Sequence, residues 1–286
     1  MQMSSFKGRQ WLTIAGGAIL LASLFFVNRK SPQKAATMPF AGKDSSAAHV
    51  SFDSLVDQAQ KQLTGWAKIK IDAATKALNG AGSEKKVQLY DTIIKVYDSI
   101  GMELQANYYL EKEAGIQHSL QKWRQAGEGY YNFALLMNPA ARTVVLQRAL
   151  NCFTNALKID SADLDSRVGM GQCIVESGGN PMEGISMIEE VLKADSDNFK
   201  AQLALGEFSI QSGQYPKAIA RFKKILKLSP SYIKAYLYLA QAYESSGDKK
   251  TAVSYLKKYS TFATDTSLKR QVDEYITKFE SDTKNK

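Results

Sequence analysis

Outside one short stretch, the apolar residues of this chain recur every three or four positions, the spacing of amphipathic helices rather than the alternation of strands. Leu55, Ala59 and Leu63 make the first stripe, behind Ser51, a suitable N-cap with Asp53 in the first turn. A second helix, opened by Thr64, carries Trp66, Ile69, Ala73 and Leu78 and stops at Asn79-Gly80-Ala81-Gly82. Together these predict a capping helix pair over residues 51–82. At the other end, Leu268, Val272, Tyr275, Ile276 and Phe279 predict one more helix over 267–281, with a polar outer face that suits a solvating cap.

Between these ends the pattern repeats. Gly213 and Gly247, Ala218 and Ala252, and Leu205 and Leu239 are each separated by 34 residues. A fixed period of this size belongs to arrays in which each unit buries its apolar face against the next. Residues 199–232 and 233–266 are the two most regular units. Upstream, 164–198 keeps Met170-Gly171 and Gly178, with one extra residue in its Gly178-Gly179-Asn180-Pro181 turn. Residues 120–163 open with Trp123, Ala126, Gly127 and Tyr130 and close with Ala149, Phe153 and Ala156, but the halves stand about ten residues too far apart, around Asn138-Pro139. Residues 87–120, with Tyr90, Tyr97, Gly101 and Ala106, form a degenerate unit.

The residues at these spacings resemble the tetratricopeptide repeat (TPR) family. Leu205, Gly206, Gly213, Ala218, Phe222 and Pro230 match its motif in one unit; Tyr236, Leu239, Tyr243, Gly247 and Ala252 match it in the next, where Leu256 and Thr264 replace the usual Phe and Pro. The resemblance covers about 180 residues and implies an all-α, right-handed solenoid of antiparallel helix pairs. In that family the first helix of each pair lines a groove that grips a protein or peptide. Carried over, the groove positions are Lys200, Leu203, Ala204, Glu207, Ile210 and Gln211, then Lys234, Leu237, Tyr238, Gln241, Glu244 and Ser245. The chaperone-binding subclass clamps a C-terminal carboxylate with Lys and Asn there. Leu203, Ala204, Leu237 and Tyr238 depart from that pattern and suit an apolar or amphipathic peptide instead. A C-terminal helix or a second copy of the chain could equally cover them.

Charge changes the picture in one place. The net charge of +9 suggests nucleic acid until it is located: Lys7, Arg9, Arg29, Lys30 and Lys34 precede the first acidic residue, Asp44. These residues flank positions 11–27, which hold no charge from Trp11 to Val27. A tail at 1–10, a transmembrane helix at 11–27 and a Pro/Ser/Gly-bearing linker at 28–50 are therefore expected. A cleaved leader is the competing reading, but no small-residue cleavage site abuts the run. The expectation is a single-pass membrane protein with its C-terminal domain on the periplasmic side, although basic residues on both flanks leave orientation nearly balanced.

Chemistry is sparse. Cys152 and Cys173 are the only cysteines and fall in helical stretches, as small buried hydrophobes do. His49 and His118 are isolated and read as solvated or capping residues. Glu189-Glu190 and the Glu111/Glu113 pair read as solvated surface. Gly127-x-Gly129 and Gly178-Gly179 lack the strand, helix and Lys-Ser/Thr context of a phosphate loop. No catalytic residue, metal or cofactor is expected. The sequence predicts a membrane-anchored scaffold that binds a protein partner; the alternatives are an envelope chaperone-like factor or a non-catalytic subunit of a membrane enzyme complex.

Overall fold

The computed structural model describes residues 51–284, which form thirteen α-helices and no strand. These residues fall into two compact units, divided between Ser196 and Asp197. The first contains α1 (Phe52–Gln60), α2 (Gly65–Leu78), α3 (Ser83–Ser99), α4 (Glu103–Gln117), α5 (Leu120–Ala134), α6 (Pro139–Ile159), α7 (Leu164–Glu176) and α8 (Pro181–Ala194). The second contains α9 (Phe199–Gln211), α10 (Tyr215–Leu228), α11 (Lys234–Ser245), α12 (Lys249–Phe262) and α13 (Thr266–Lys284).

Local chemistry sets the helix ends. Side-chain oxygens of Asn138, Asp163, Asn198 and Asp248 each accept a backbone N–H in the first turn of the helix that follows, satisfying donors the helix cannot. Pro139 and Pro181 open α6 and α8, where a missing N–H costs nothing. Gly213 and Gly247, the glycines that announce the 34-residue period, take φ of +73° and +92° between the helices of their pairs, a region a side chain would strain. His118 takes the same kind of position (φ 48°) and closes α4 by donating its N–H to the Ala114 carbonyl.

Successive helices pack as antiparallel hairpins, and the described residues are helical throughout, without a strand. In the first unit the pairs are α3/α4, α5/α6 and α7/α8; in the second, α9/α10 and α11/α12, with α13 laid against α12. In α5/α6 and α9/α10 the close approach is a ring on a glycine. A Cβ on Gly206 would stand 2.8 Å from the Phe222 ring, and Cβ atoms on Gly127 and Gly169 would stand 2.9 and 2.3 Å from the Phe153 ring. In α7/α8 Gly171 and Gly184 meet backbone to backbone, with Ile188 beside them. In α11/α12 the equivalent positions hold Ala240 and Leu256, both fully buried in one cluster: a larger small residue faces a smaller large one. Most of the ten-residue excess between Gly127 and Phe153 is absorbed by α6, whose 21 residues make it the longest helix described.

The N-terminal helices depart from the expected capping pair. Helix α1 packs on α4 and α6, while α2 packs on α3. The buried face of α2 is Ala67, Ile71 and Ala74; Trp66 and Ile69 lie on the other side, exposed. Glu111 and Glu113 are not solvated surface either. Glu113 is fully buried and pairs with Lys122 across the α4/α5 turn, and Glu111 accepts from the Tyr130 hydroxyl at 2.8 Å and from Arg148 at 3.4 Å. Isolated helix spacing cannot show this, because the partners come from the next hairpin.

No helix among the described residues is long and apolar enough to cross a membrane. Length alone does not qualify one: α6 carries Arg142, Arg148 and Lys158, and α13 alternates charges along its 19 residues. The single-pass anchor expected at 11–27, and the periplasmic placement built on it, are therefore corrected as unsupported; the segments at 1–10, 11–27 and 28–50 lie outside the described residues.

Two outcomes follow from the packing. Gly206→Ala gains about 1 kcal/mol of helix propensity but overpacks Phe222 at a cost of about 1–3 kcal/mol, so a net loss is expected. Adding Phe222→Leu recreates the Ala/Leu pair of the next hairpin. Urea unfolding should show the double variant at least about 1 kcal/mol more stable than the sum of the singles; strict additivity would mean ring and glycine do not meet. Second, Cys152 and Cys173 are buried and free, and burial pushes both thiols well above their ordinary range. Neither should react with a thiol reagent until the protein is unfolded, when both should; a fast native phase would contradict their burial.

Candidate functional site

The groove positions read from the sequence lie on α9 and α11, the first helices of the two hairpins in the second unit, which touch each other directly. Lys200, Leu203, Glu207, Ile210, Gln241 and Glu244 are half-buried, and Lys234, Gln211 and Ser245 are exposed. Leu203 and Ile210 rest against the α9–α11 core with part of each side chain uncovered. Ala204, Leu237 and Tyr238 are instead taken by the core, at 1%, 6% and 7% exposure. Leu237 fills the cluster beneath α12 and α13, and Tyr238 stacks on Phe222 with ring centroids 4.5 Å apart and planes 4° from parallel. Helix α11 lies between the α9/α10 hairpin and its own partner α12, so Leu237 and Tyr238 face neighbours rather than solvent.

The polar residues of this face are tied across helices. The Tyr238 hydroxyl donates to Glu207, and the Tyr275 hydroxyl, from α13, donates to Glu244. Each tyrosine lies 31 residues after its glutamate. The sequence reading placed Tyr275 only in a terminal cap; the shared offset was the signal that could have assigned it. One turn before Glu244, Gln241 has its Oε1 buried with no hydrogen-bond partner among the described residues, as does Glu244 Oε2. Burial raises the Glu244 carboxyl above its ordinary 4.5, outweighing the opposing pull of the Tyr275 hydrogen bond and Lys249. Burial and the neighbouring carboxylate also raise the Tyr275 hydroxyl, so it remains a donor.

The remaining aromatic residues of α11 and α12 are committed to their own hairpin. Tyr243 stacks on Tyr255 at 5.5 Å and 13°, Tyr236 stacks on Tyr255 and on Phe262, and Lys223 and Lys258 lie over Tyr243 and Tyr255. Among the described residues no group of three or more His, Cys, Asp or Glu side chains is placed to hold a metal. The face sets partly uncovered apolar side chains between charged and polar ones.

Comparison with known proteins finds a family model described as "Regulator of microtubule dynamics protein 1-3" matching residues 199–283, under a third of the chain. The DnaJ homolog subfamily C member 3 homolog of Dictyostelium discoideum is 29% identical over 106 residues, 37% of this chain and 21% of that protein. The chain thus spans about a fifth of the length of that curated relative. Similar solved structures include a MamA fragment from Desulfovibrio magneticus (TM-score 0.45, 22% identity, 63% of this chain and 98% of that one). A thermophilic TPR protein from Thermus thermophilus gives 0.46, at 13% identity over 62% of this chain and 98% of that one. YrrB, described as a TPR protein with an unusual peptide-binding site, gives 0.40, at 16% identity over 71% and 99%.

The Glu244 geometry predicts a pH dependence. Its folded-state pKa lies above the unfolded 4.5, so below 4.5 both states hold the proton and the residue exacts no penalty. As pH rises through the folded pKa, the buried carboxylate ionises and stability falls. Glu244→Gln removes that penalty. Thermal melts from pH 4 to 7 should show the variant gaining on the native chain as pH rises; parallel curves would contradict the raised pKa.

Proposed function

We propose that the chain is a non-catalytic adaptor that holds a protein or peptide partner against the first helices of its second unit. Arrays of helix pairs serve many unrelated partners, so the fold indicates a kind of work and the face must indicate the ligand. The observation that supports this reading is the composition of the α9/α11 face. Leu203 and Ile210 are half-uncovered there between the charged or polar ends of Lys200, Glu207, Lys234 and Gln241. Apolar sockets between charged groups suit a segment that is itself amphipathic. Tyr238 serves this site from below: its ring is fixed by Phe222 and its hydroxyl by Glu207, so that part of the floor is held in place before a partner arrives.

A photo-crosslinking residue tests this when placed at Lys234 on the face and, as a control, at exposed Lys217 on α10. The same partner should be trapped from Lys234 and not from Lys217. Lys200→Glu should then reduce trapping from Lys234 severalfold while the helical circular dichroism is retained. Equal trapping from both positions, or none affected by Lys200→Glu, would place binding elsewhere.

A further inference from the structure

Charge is distributed unequally between the two units. Residues 51–196 hold 15 Lys and Arg against 18 Asp and Glu, whereas residues 197–286 hold 16 against 9. In the second unit the excess is concentrated in α10 and α12, the second helices of its hairpins. Helix α10 carries five basic residues and α12 four, and neither contains Asp or Glu. This placement works against the helices themselves. Lys223 and Lys227 stand four residues apart, a like-charge spacing that weakens a helix, and Lys249 and Lys250 open α12 at its positive dipole end. Packing does not demand them either, since all four are exposed. A face of one sign attracts an oppositely charged partner from solution.

The lysines of the two helices are joined into one strip. Lys223 lies over the Tyr243 ring at 5.6 Å, Tyr243 stacks on Tyr255 of α12, and Lys258 lies over Tyr255 at 5.1 Å. The strip thus crosses α10, the end of α11 and α12 within one unit. It also follows the repeat. Lys223 and Lys257, and Lys224 and Lys258, are 34 residues apart, as are Leu228 and Phe262, the exposed apolar residues that end α10 and α12.

Three observations choose the partner. Two lysines of these helices already hold carboxylates: Lys224 that of Asp197 at 2.8 Å, and Lys257 that of Glu280 at 2.6 Å. The cations are nearly all lysine; Arg221 alone has the fork that grips phosphate bidentately, and it is half-buried and donates to Gln202 at 3.2 Å. The rings between the lysines are stacked on one another, so they offer no row of open faces on which bases could stack. Closely spaced carboxylates, with an apolar residue to meet Leu228 or Phe262, fit these groups.

We propose that the α10/α12 strip docks an acidic segment of another protein, rich in Asp and Glu and carrying an apolar residue among them. The strip shares no residue with the α9/α11 face and does not rest on the reading given for that face. The probe is a fluorescein-labelled oligoglutamate peptide, titrated into the full chain and followed by anisotropy. It should bind, and added salt should weaken it. Lys223→Glu/Lys258→Glu should lower the affinity at least about tenfold while the circular dichroism stays helical. Lys76→Glu/Lys95→Glu, the same charge change at exposed sites on α2 and α3, should leave binding unchanged. Lys227→Glu, a single exposed change, should weaken binding in the same direction and carries the test if the first pair disturbs the fold. Oligothymidylate, and vesicles of phosphatidylcholine with phosphatidylserine, are the competing polyanions. No binding of the peptide, an equal loss from the control pair, or tighter binding of either competitor overturns the proposal; the last result would give the strip to nucleic acid or to a lipid surface.

Discussion

The absence of a Cβ where facing helices meet sets how closely the hairpins α5/α6, α7/α8 and α9/α10 can close. Phe222 on Gly206 and Phe153 between Gly127 and Gly169 leave no room for a Cβ. The helices therefore approach until ring meets backbone, and the other side chains of the pair must fit the gap that remains. Glycine lowers helix propensity by about 1 kcal/mol, so its presence inside three helices is justified only by what it lets in. The α11/α12 pair reaches the same closure with Ala240 and Leu256, exchanging volume across the interface rather than losing it.

Polar groups are fixed on this frame from outside the hairpin. Tyr130 holds Glu111, Tyr238 holds Glu207 and Tyr275 holds Glu244, each a phenol donating to a carboxylate one or more helices away. Such bonds to a charged acceptor are stronger than neutral ones, and a partly buried one resists screening by salt. The consequence for the α9/α11 face is a division of labour. Tyr238 stiffens this face, while Leu203 and Ile210 keep part of each side chain uncovered.

The two ends of the described chain solve the same problem differently. Helix α13 covers α12 with Leu268, Val272 and Ile276 and turns a charged face outward. At the other end α2 lies against α3, while α1 skips the end altogether and beds between α4 and α6. An end helix stabilises a hairpin array by covering its last apolar face; α1 covers a groove in the side of one.

The sequence by itself determined what depends on neighbours in the chain or on the repeat. The cap at Ser51, the period glycines Gly213 and Gly247, the Gly206 and Phe222 positions and the extra residues near Asn138 were legible, because each acts within one helix or hairpin. Tertiary structure alone decided which side of a helix another element would cover. Trp66 and Ile69 shared a stripe with core-like spacing yet face outward, Leu237 and Tyr238 sat at groove positions yet belong to the core, and Glu113 read as surface yet is buried against Lys122. A helix offers several faces at equal spacing, and periodicity cannot rank them. Burial is assigned by whichever distant helix arrives, and in this chain that included one, α1, from the far end of its own unit.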